Sequence, residues 1–181
     1  DRVGLIIFSD RIEHSVRPGK GSAQVMRILS DTLRHPAKNS GTNLGAALDH
    51  LCRIAHRPCL AFLLSDFLCP GFADALGGSA LHHDLVGITI RHACESALPD
   101  SGTVRMRDSE TGHTCLMGTG DPAFRTAFAE EQGMGNRLLH QSFEDAGADH
   151  FYVQVGEDYG DRLHTFLKTR QQRKRNGSNL P

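Results

Sequence analysis

Apolar runs that stop abruptly at polar pairs alternate with stretches of helical spacing along this chain. Residues 3–8 form an apolar run ending in Ser9-Asp10, and Ile12 and Val16 follow with polar residues between them. These two runs predict a hairpin turning at Ser9-Asp10-Arg11. After a Pro18-Gly19-Lys20-Gly21 loop, Val25, Ile28, Leu29 and Leu33 recur at helical spacing, predicting a helix over 22–34 with Ser22 as its N-cap. His35-Pro36 ends it. A second helix is expected from Asn43, with Leu44, Ala47, Leu48, Leu51, Ile54 and Ala55 on its inner face.

Leu60-Ala61-Phe62-Leu63-Leu64, stopping at Ser65-Asp66, has no polar alternation and predicts a strand buried on both faces. A short helix over 72–81, weakened by Gly77-Gly78, precedes a second buried strand over 85–90. Helix, strand, helix, strand in that order predicts βαβ units with right-handed crossovers. Beyond Glu95, residues 103–107 and 114–117 flank Asp108-Ser109-Glu110-Thr111-Gly112 and predict a solvent-facing hairpin. Asp121-Pro122 starts a helix carrying Phe124, Phe128, Leu139 and Phe143, with Gly133 and Gly135 as candidate kinks. A strand over 150–155 and a helix over about 158–174 complete the pattern. The expected division is one domain over 1–175, followed by a disordered tail over 176–181.

The 181 residues suffice for one domain with a substantial core, and 39% hydrophobic with 23% charged content is globular. A net charge of −1 supplies no field toward nucleic acid or anionic lipid, and the absence of tryptophan argues against a base-stacking surface. No nucleic-acid partner is expected; the basic run ending the last helix reads as a solvated helix terminus. Five scattered cysteines with no Cys-x-x-Cys pair suggest reduced thiols, hence a cytoplasmic setting. No apolar run approaches the roughly 18 residues of a membrane span. Starting without methionine, directly on Asp1-Arg2 and a strand, the chain reads as a piece of something longer.

Candidate chemistry concentrates at two places. Open α/β sheets bind ligands beyond the carboxyl ends of their strands, which is where Ser65 and Asp66 fall. Thr42, in Ser40-Gly41-Thr42-Asn43, opens the helix feeding that strand. A threonine and an aspartate so placed can put two oxygens on one hard cation, with water filling the remaining positions. Read from those two residues alone, each is a helix cap. Cys52, His56 and Cys59 offer three of the four ligands that a structural zinc site wants. Lys20 lacks the phosphate-loop spacing, and no nucleophile elbow or paired glutamates occur.

Taken in order, residues 1–13, then Gly41-Thr42-Asn43-Leu44-Gly45-Ala46-Ala47-Leu48, Phe62-Leu63-Leu64-Ser65-Asp66-Phe67, residues 95–99 and 105–112 are similar to the bacterial "domain of unknown function 58" family, a branch of the von Willebrand factor A-like domains. The resemblance runs over nearly the whole chain. It implies an α/β fold, a Rossmann-like, mostly parallel sheet flanked by helices. It also implies a metal-ion-dependent adhesion site built from an Asp-x-Ser-x-Ser motif, a later threonine and a later aspartate. Thr42 and Asp66 match the last two as ligands for Mg²⁺ or Mn²⁺. No Asp-x-Ser-x-Ser occurs in these residues. In the family it ends a first strand that would lie between the strands 3–8 and 60–64, so the domain reads as N-terminally truncated. Weak or no metal binding is therefore expected of this chain. The two strand edges would either pair with each other or be completed by another chain, giving a homo-oligomer through unpaired edges.

The resemblance further implies a non-catalytic protein-interaction module whose cation is completed by a partner's carboxylate. It implies a MoxR-type AAA+ ATPase as partner, work in assembly or maturation of complexes, and a parent protein attached to the inner membrane. The alternative is a metal-dependent hydrolase at the same sheet rim, for which the residues offer no clear general base.

Overall fold

The computed structural model describes residues 1–36, 41–108 and 112–177, with side chains to residue 172. Of the residues read above, Ser40, the 109–111 part of the second hairpin's turn and the 178–181 part of the tail lie outside them.

Strands β1 (Val3–Phe8) and β2 (Ile12–Gly19) pair antiparallel, the turn closed by Ser9 N–H donating to the Arg11 carbonyl at 2.8 Å. Helix α1 (Ser22–Arg34) follows. Its N-cap is Gly21, not Ser22: a φ of 89° there brings the chain into the helix from a conformation glycine adopts freely, leaving Ser22 inside the first turn. Helix α2 (Leu44–Ile54) is capped by Asn43, whose side chain accepts from Ala46 N–H at 2.9 Å. Strand β3 (Leu60–Ser65), helix α3 (Ala73–Ala80), strand β4 (Asp84–Arg91) and the single turn α4 (Ala93–Ser96) come next. Strands β5 (Thr103–Arg107) and β6 (Thr114–Gly118) form the second hairpin. Helix α5 (Pro122–Asp145) starts at an Asp121 N-cap and runs through Gly133 and Gly135 without a break. Strand β7 (Asp149–Gln154) and helix α6 (Gly160–Gly177) end the described chain.

This is a mixed α/β architecture whose parallel component is a three-stranded sheet in the order β3-β4-β7, flanked by helices. The two hairpins are separate two-stranded sheets, so the strands do not form the single, mostly parallel sheet expected from the sequence. The β1 and β3 edges do not pair with each other: β1 bonds to β2, and β3 to β4.

Alternation divides the parallel sheet into two faces. Leu63 and Leu85 point to one, joined in the core by Leu44, Leu48, Phe67, Phe72, Leu76, Leu139 and Phe143 from the covering helices and loops. Phe143 lies so close over Gly87 that a Cβ there would stand 2.4 Å from the ring; β4 passes under α5 because it has no side chain at that point. The opposite face carries Val86 and Ile88, both buried, and Phe151, against which Phe166 of α6 packs at 5.0 Å between ring centroids. Arg170 of α6 is buried and pairs with both Asp84 and Asp149, closing the base of this layer. Cover stops before β3. Leu60, Phe62 and Leu64 are 47, 42 and 56% exposed, so the run expected to be buried on both faces is buried on one.

Candidate functional site

The rim at the carboxyl ends of the strands is where both metal candidates fall. Helix α2 leads through a short link into β3, so its N-terminus lies at the end of the layer where β3 finishes. Asn43 N–H donates to the Ser9 carbonyl at 2.7 Å, tying that helix start to the end of β1. Thr42, half-buried, thus stands beside the Ser9-Asp10 turn, and the cap of α2 is its neighbour Asn43. Asp10 is engaged by Arg11 at 2.7 Å; that guanidinium, through its hydrogen bonds, holds the carboxyl below the ordinary aspartate range.

Asp66 is half-buried one residue beyond β3. It caps no helix: α3 begins at Ala73 behind Phe72. Its Oδ1 accepts Leu68 N–H at 3.2 Å, while Ser65 Oγ accepts Phe67 N–H at 3.0 Å. Phe67 completes this turn with a φ of 57°, a left-handed backbone that side-chain-bearing residues seldom adopt. Its ring holds it there, 6% exposed, edge-on to Phe143 at 5.2 Å and beside Phe72 at 5.9 Å. The aromatic anchor turns the chain sharply at the end of the strand and keeps Asp66 toward the rim. Among the described residues no group of three or more histidine, cysteine or carboxylate side chains is gathered to hold a metal. Thr42 and Asp66 supply one hydroxyl and one carboxylate, fewer than the six or more oxygens a hard cation takes; further ligands or water must supply the rest.

The sulfur-rich alternative resolves otherwise. Cys52 Sγ lies 3.3 Å from Ser79 Oγ, and Cys59 Sγ lies 3.6 Å from His83 Nδ1. Burial pushes the Cys59 thiol up and the His83 imidazole down, which works against a thiolate nucleophile, and among the described residues no group of three zinc ligands is gathered here.

Two groups beneath the rim gave no signal in the sequence. His150 of β7 stacks on Phe143 at 4.6 Å and shares a 2.7 Å hydrogen bond with Thr89, but its Nδ1 is buried with no partner. Burial, then the charges of His140 and Arg91, depress its pKa to about 4. Arg91, the last residue of β4, is 9% exposed; Asn136 of α5 accepts from its Nη1, and its Nε has no partner. The pairing register that brings Thr89 opposite Tyr152 and Arg91 opposite Gln154 assembles this group from segments some 60 residues apart, which no local pattern announces.

Residues 1–136 match the family described as "Protein of unknown function DUF58". The chain belongs to that family. An uncharacterized protein of Mycobacterium avium is 29% identical over 157 residues, covering 86% of this chain and 92% of that relative. Uncharacterized proteins of Mycobacterium bovis and Mycobacterium tuberculosis are each 26% identical over 175 residues, 94% of this chain but 55% of their own length. The chain therefore spans about half the length of those two longer relatives. Among solved structures, an aerotolerance-related membrane protein from Bacteroides fragilis, carrying multiple mutations to serines, is similar with a TM-score of 0.51 at 15% identity. That match covers 93% of this chain and 78% of the other, and it shows a shared fold. Among the described residues of the present chain no helix is long and apolar enough to cross a membrane.

Proposed function

We propose that this DUF58 chain is the greater part of a von Willebrand factor A-like, non-catalytic protein-interaction module that meets its partner at the sheet rim. The observation that carries this reading is the Ser65-Asp66-Phe67 turn. A half-buried carboxylate is held at the end of β3 by a left-handed residue whose ring is locked in the core, at the end of the layer where Thr42 opens α2. Strained backbone maintained by packing is characteristic of sites that hold a group in place for a ligand. In this reading Mg²⁺ or Mn²⁺ rests on Asp66 and Thr42, further protein ligands come from outside this chain, and a partner's carboxylate fills the open position. A MoxR-type AAA+ ATPase is the proposed partner, in assembly or maturation of complexes on the cytoplasmic side of the inner membrane. The likeness in fold to a membrane protein supports a parent protein held at a membrane.

The experiment is a pull-down of a MoxR-type ATPase by a full-length relative, with and without Mg²⁺, beside variants at the positions of Thr42 and Asp66. Capture that needs Mg²⁺ and is lost in both alanine variants is the expected result; capture indifferent to metal and to both variants sinks the reading. Turnover of a phosphoester panel, abolished by Asp66→Ala, would replace it with a metal-dependent hydrolase.

A further inference from the structure

The Asp66 turn depends on the ring of Phe67, and that ring leans on a histidine from the far strand of the sheet. A left-handed φ at a residue with a side chain persists only where packing holds it, so what Phe67 packs against decides the turn. Three rings neighbour it, Phe72 at 5.9 Å, Phe143 at 5.2 Å and His150 at 6.1 Å between centroids. Phe143 and His150 lie face to face at 4.6 Å with 5° between their planes, and Phe67 stands edge-on to both, at 89° and 87°. His150 is fixed in turn by its 2.7 Å hydrogen bond with Thr89 and by Tyr152, 4.4 Å away ring to ring. The turn follows β3 and His150 belongs to β7, with β4 between them.

That stack suits an uncharged imidazole. The buried Nδ1 has no partner, so an imidazolium has no acceptor for the proton it carries there. The titratable and charged groups facing His150 are Arg91 from β4, Tyr152 from its own strand and His140 from α5, the last 3.4 Å from the exposed Glu144. The face of Phe143 attracts a cation. Burial, His140 at 5.7 Å ring to ring and the Arg91 guanidinium oppose it and prevail, since together they lower the basicity of His150. A protonated ring is therefore driven toward water and out of the stack. Phe67 then loses part of its seat, and its backbone relaxes to the ordinary region of negative φ. Two hydrogen bonds depend on the present φ: Ser65 Oγ accepts from Phe67 N–H, and Asp66 Oδ1 accepts from Leu68 N–H.

We propose that His150 is a positioning residue for the rim: its uncharged ring seats Phe67, Phe67 fixes the direction of Asp66, and a proton on His150 releases the turn. The use of this coupling in binding rests on the rim reading above, whereas the coupling itself does not. The test follows the ¹⁵N-labelled chain in EDTA from pH 7 to pH 3.5, with the His150 ring protons reporting its protonation. The Phe67 and Leu68 amides should shift with the midpoint of the His150 ring, near pH 4, and their protection from exchange should fall about tenfold while the Leu48 and Val86 amides hold. In His150→Phe, which keeps a ring but takes no proton, both amides should stay as they are at pH 7. His150→Gln should likewise show no transition, but its two amides should already be less protected at pH 7, because the stack is gone. Asp66→Asn removes the carboxylate's own titration and should retain the transition. The same transition in His150→Phe or His150→Gln, its loss in Asp66→Asn, or a fall in protection shared equally by Leu48 and Val86 would each overturn the proposal. Neither metal nor partner enters this measurement, so its failure leaves the Mg²⁺-dependent capture experiment to decide the rim reading separately, and the reverse also holds.

Discussion

Helices α1 and α2 are both strongly amphipathic in sequence, and the fold treats them in opposite ways. Leu44, Ala47 and Leu48 of α2 are buried, Leu48 completely, against β3 and the α3 and α5 layer. Helix α1 buries none of its residues. It faces the β1-β2 hairpin with polar groups: Gln24 donates to the carbonyls of Val3 and Arg17 at 3.0 and 2.9 Å, and Asp31 meets His14 at 2.9 Å. Just beyond its end, His35 meets Glu13 at 2.9 Å and stacks on His14 at 5.7 Å. At 3.6 residues per turn, Val25, Met26, Leu29 and Leu33 fall on nearly the other side, 46, 64, 51 and 85% exposed. Amphipathicity makes a helix able to bury a face; whether it does depends on an apolar surface standing opposite. Helix α2 has one. Helix α1 is held by hydrogen bonds, which net far less than burial of a leucine.

The contrast predicts unequal costs for the same substitution. Leu48→Ala should destabilise by about 2–5 kcal/mol, as deletion of a fully buried leucine does, whereas Leu29→Ala should cost under about 0.5 kcal/mol. Urea unfolding of the two variants checks this; equal losses would mean that the α1 stripe is covered in solution. Helix α6 provides a second comparison, since one buried arginine holds it to two carboxylates. Arg170→Ala removes a buried guanidinium from Asp84 and Asp149 and should cost about 1–3 kcal/mol, more than any single change in α1.

Next in size is a pH effect seated under α5. His150 has a folded pKa of about 4 against an ordinary 6.5, so the unfolded chain binds the proton more readily. Its contribution is intact above pH 6.5 and is lost as the pH falls toward 4, amounting to about 1–2 kcal/mol once solvent screening of the partly exposed ring is allowed for. Chemical unfolding of wild type and His150→Gln at pH 7 and pH 4.5 isolates it; parallel losses in both proteins would assign the acid sensitivity elsewhere. Smallest is the clasp on α1. His14 holds the Asp31 carboxyl below its ordinary range, so the pair's help is present above the ordinary aspartate pKa and lost as pH falls through the lowered one. Asp31→Asn should raise amide exchange in α1 by a few fold while exchange in α2 stays unchanged.

At the rim, calorimetric titration of the chain with Mg²⁺ or Mn²⁺ should show no micromolar binding, because Thr42 and Asp66 supply too few oxygens; micromolar affinity would mean further ligands are already gathered there.

Much of the local structure was legible in the residues themselves. The cap at Asp121, the turn at Ser9-Asp10-Arg11 and the periodic runs located α1, α2, β3, β4 and α5 to within a residue or two. These depend on neighbours three or four positions away, which a sequence displays directly. Ser22 was misread as a cap because serine so often is one; the left-handed Gly21 before it took that place. Thr42 and Asp66 were legible as polar residues at element ends, but their capping role was not theirs: Asn43 caps α2, and Asp66 belongs to a turn anchored by Phe67.

By itself, then, the sequence determined which segments could be helix or strand, and which family they belong to, because hydrophobic period and turn chemistry act within a few residues. Only the tertiary structure decided that the strands form three sheets, that the apolar faces of α1 and β3 stay open, and that the Nε of Arg91 and the Nδ1 of His150 are buried without partners. Those outcomes depend on which surfaces meet across 50 or more residues of intervening chain, and an apolar side chain carries the same pattern whether or not another surface arrives to cover it.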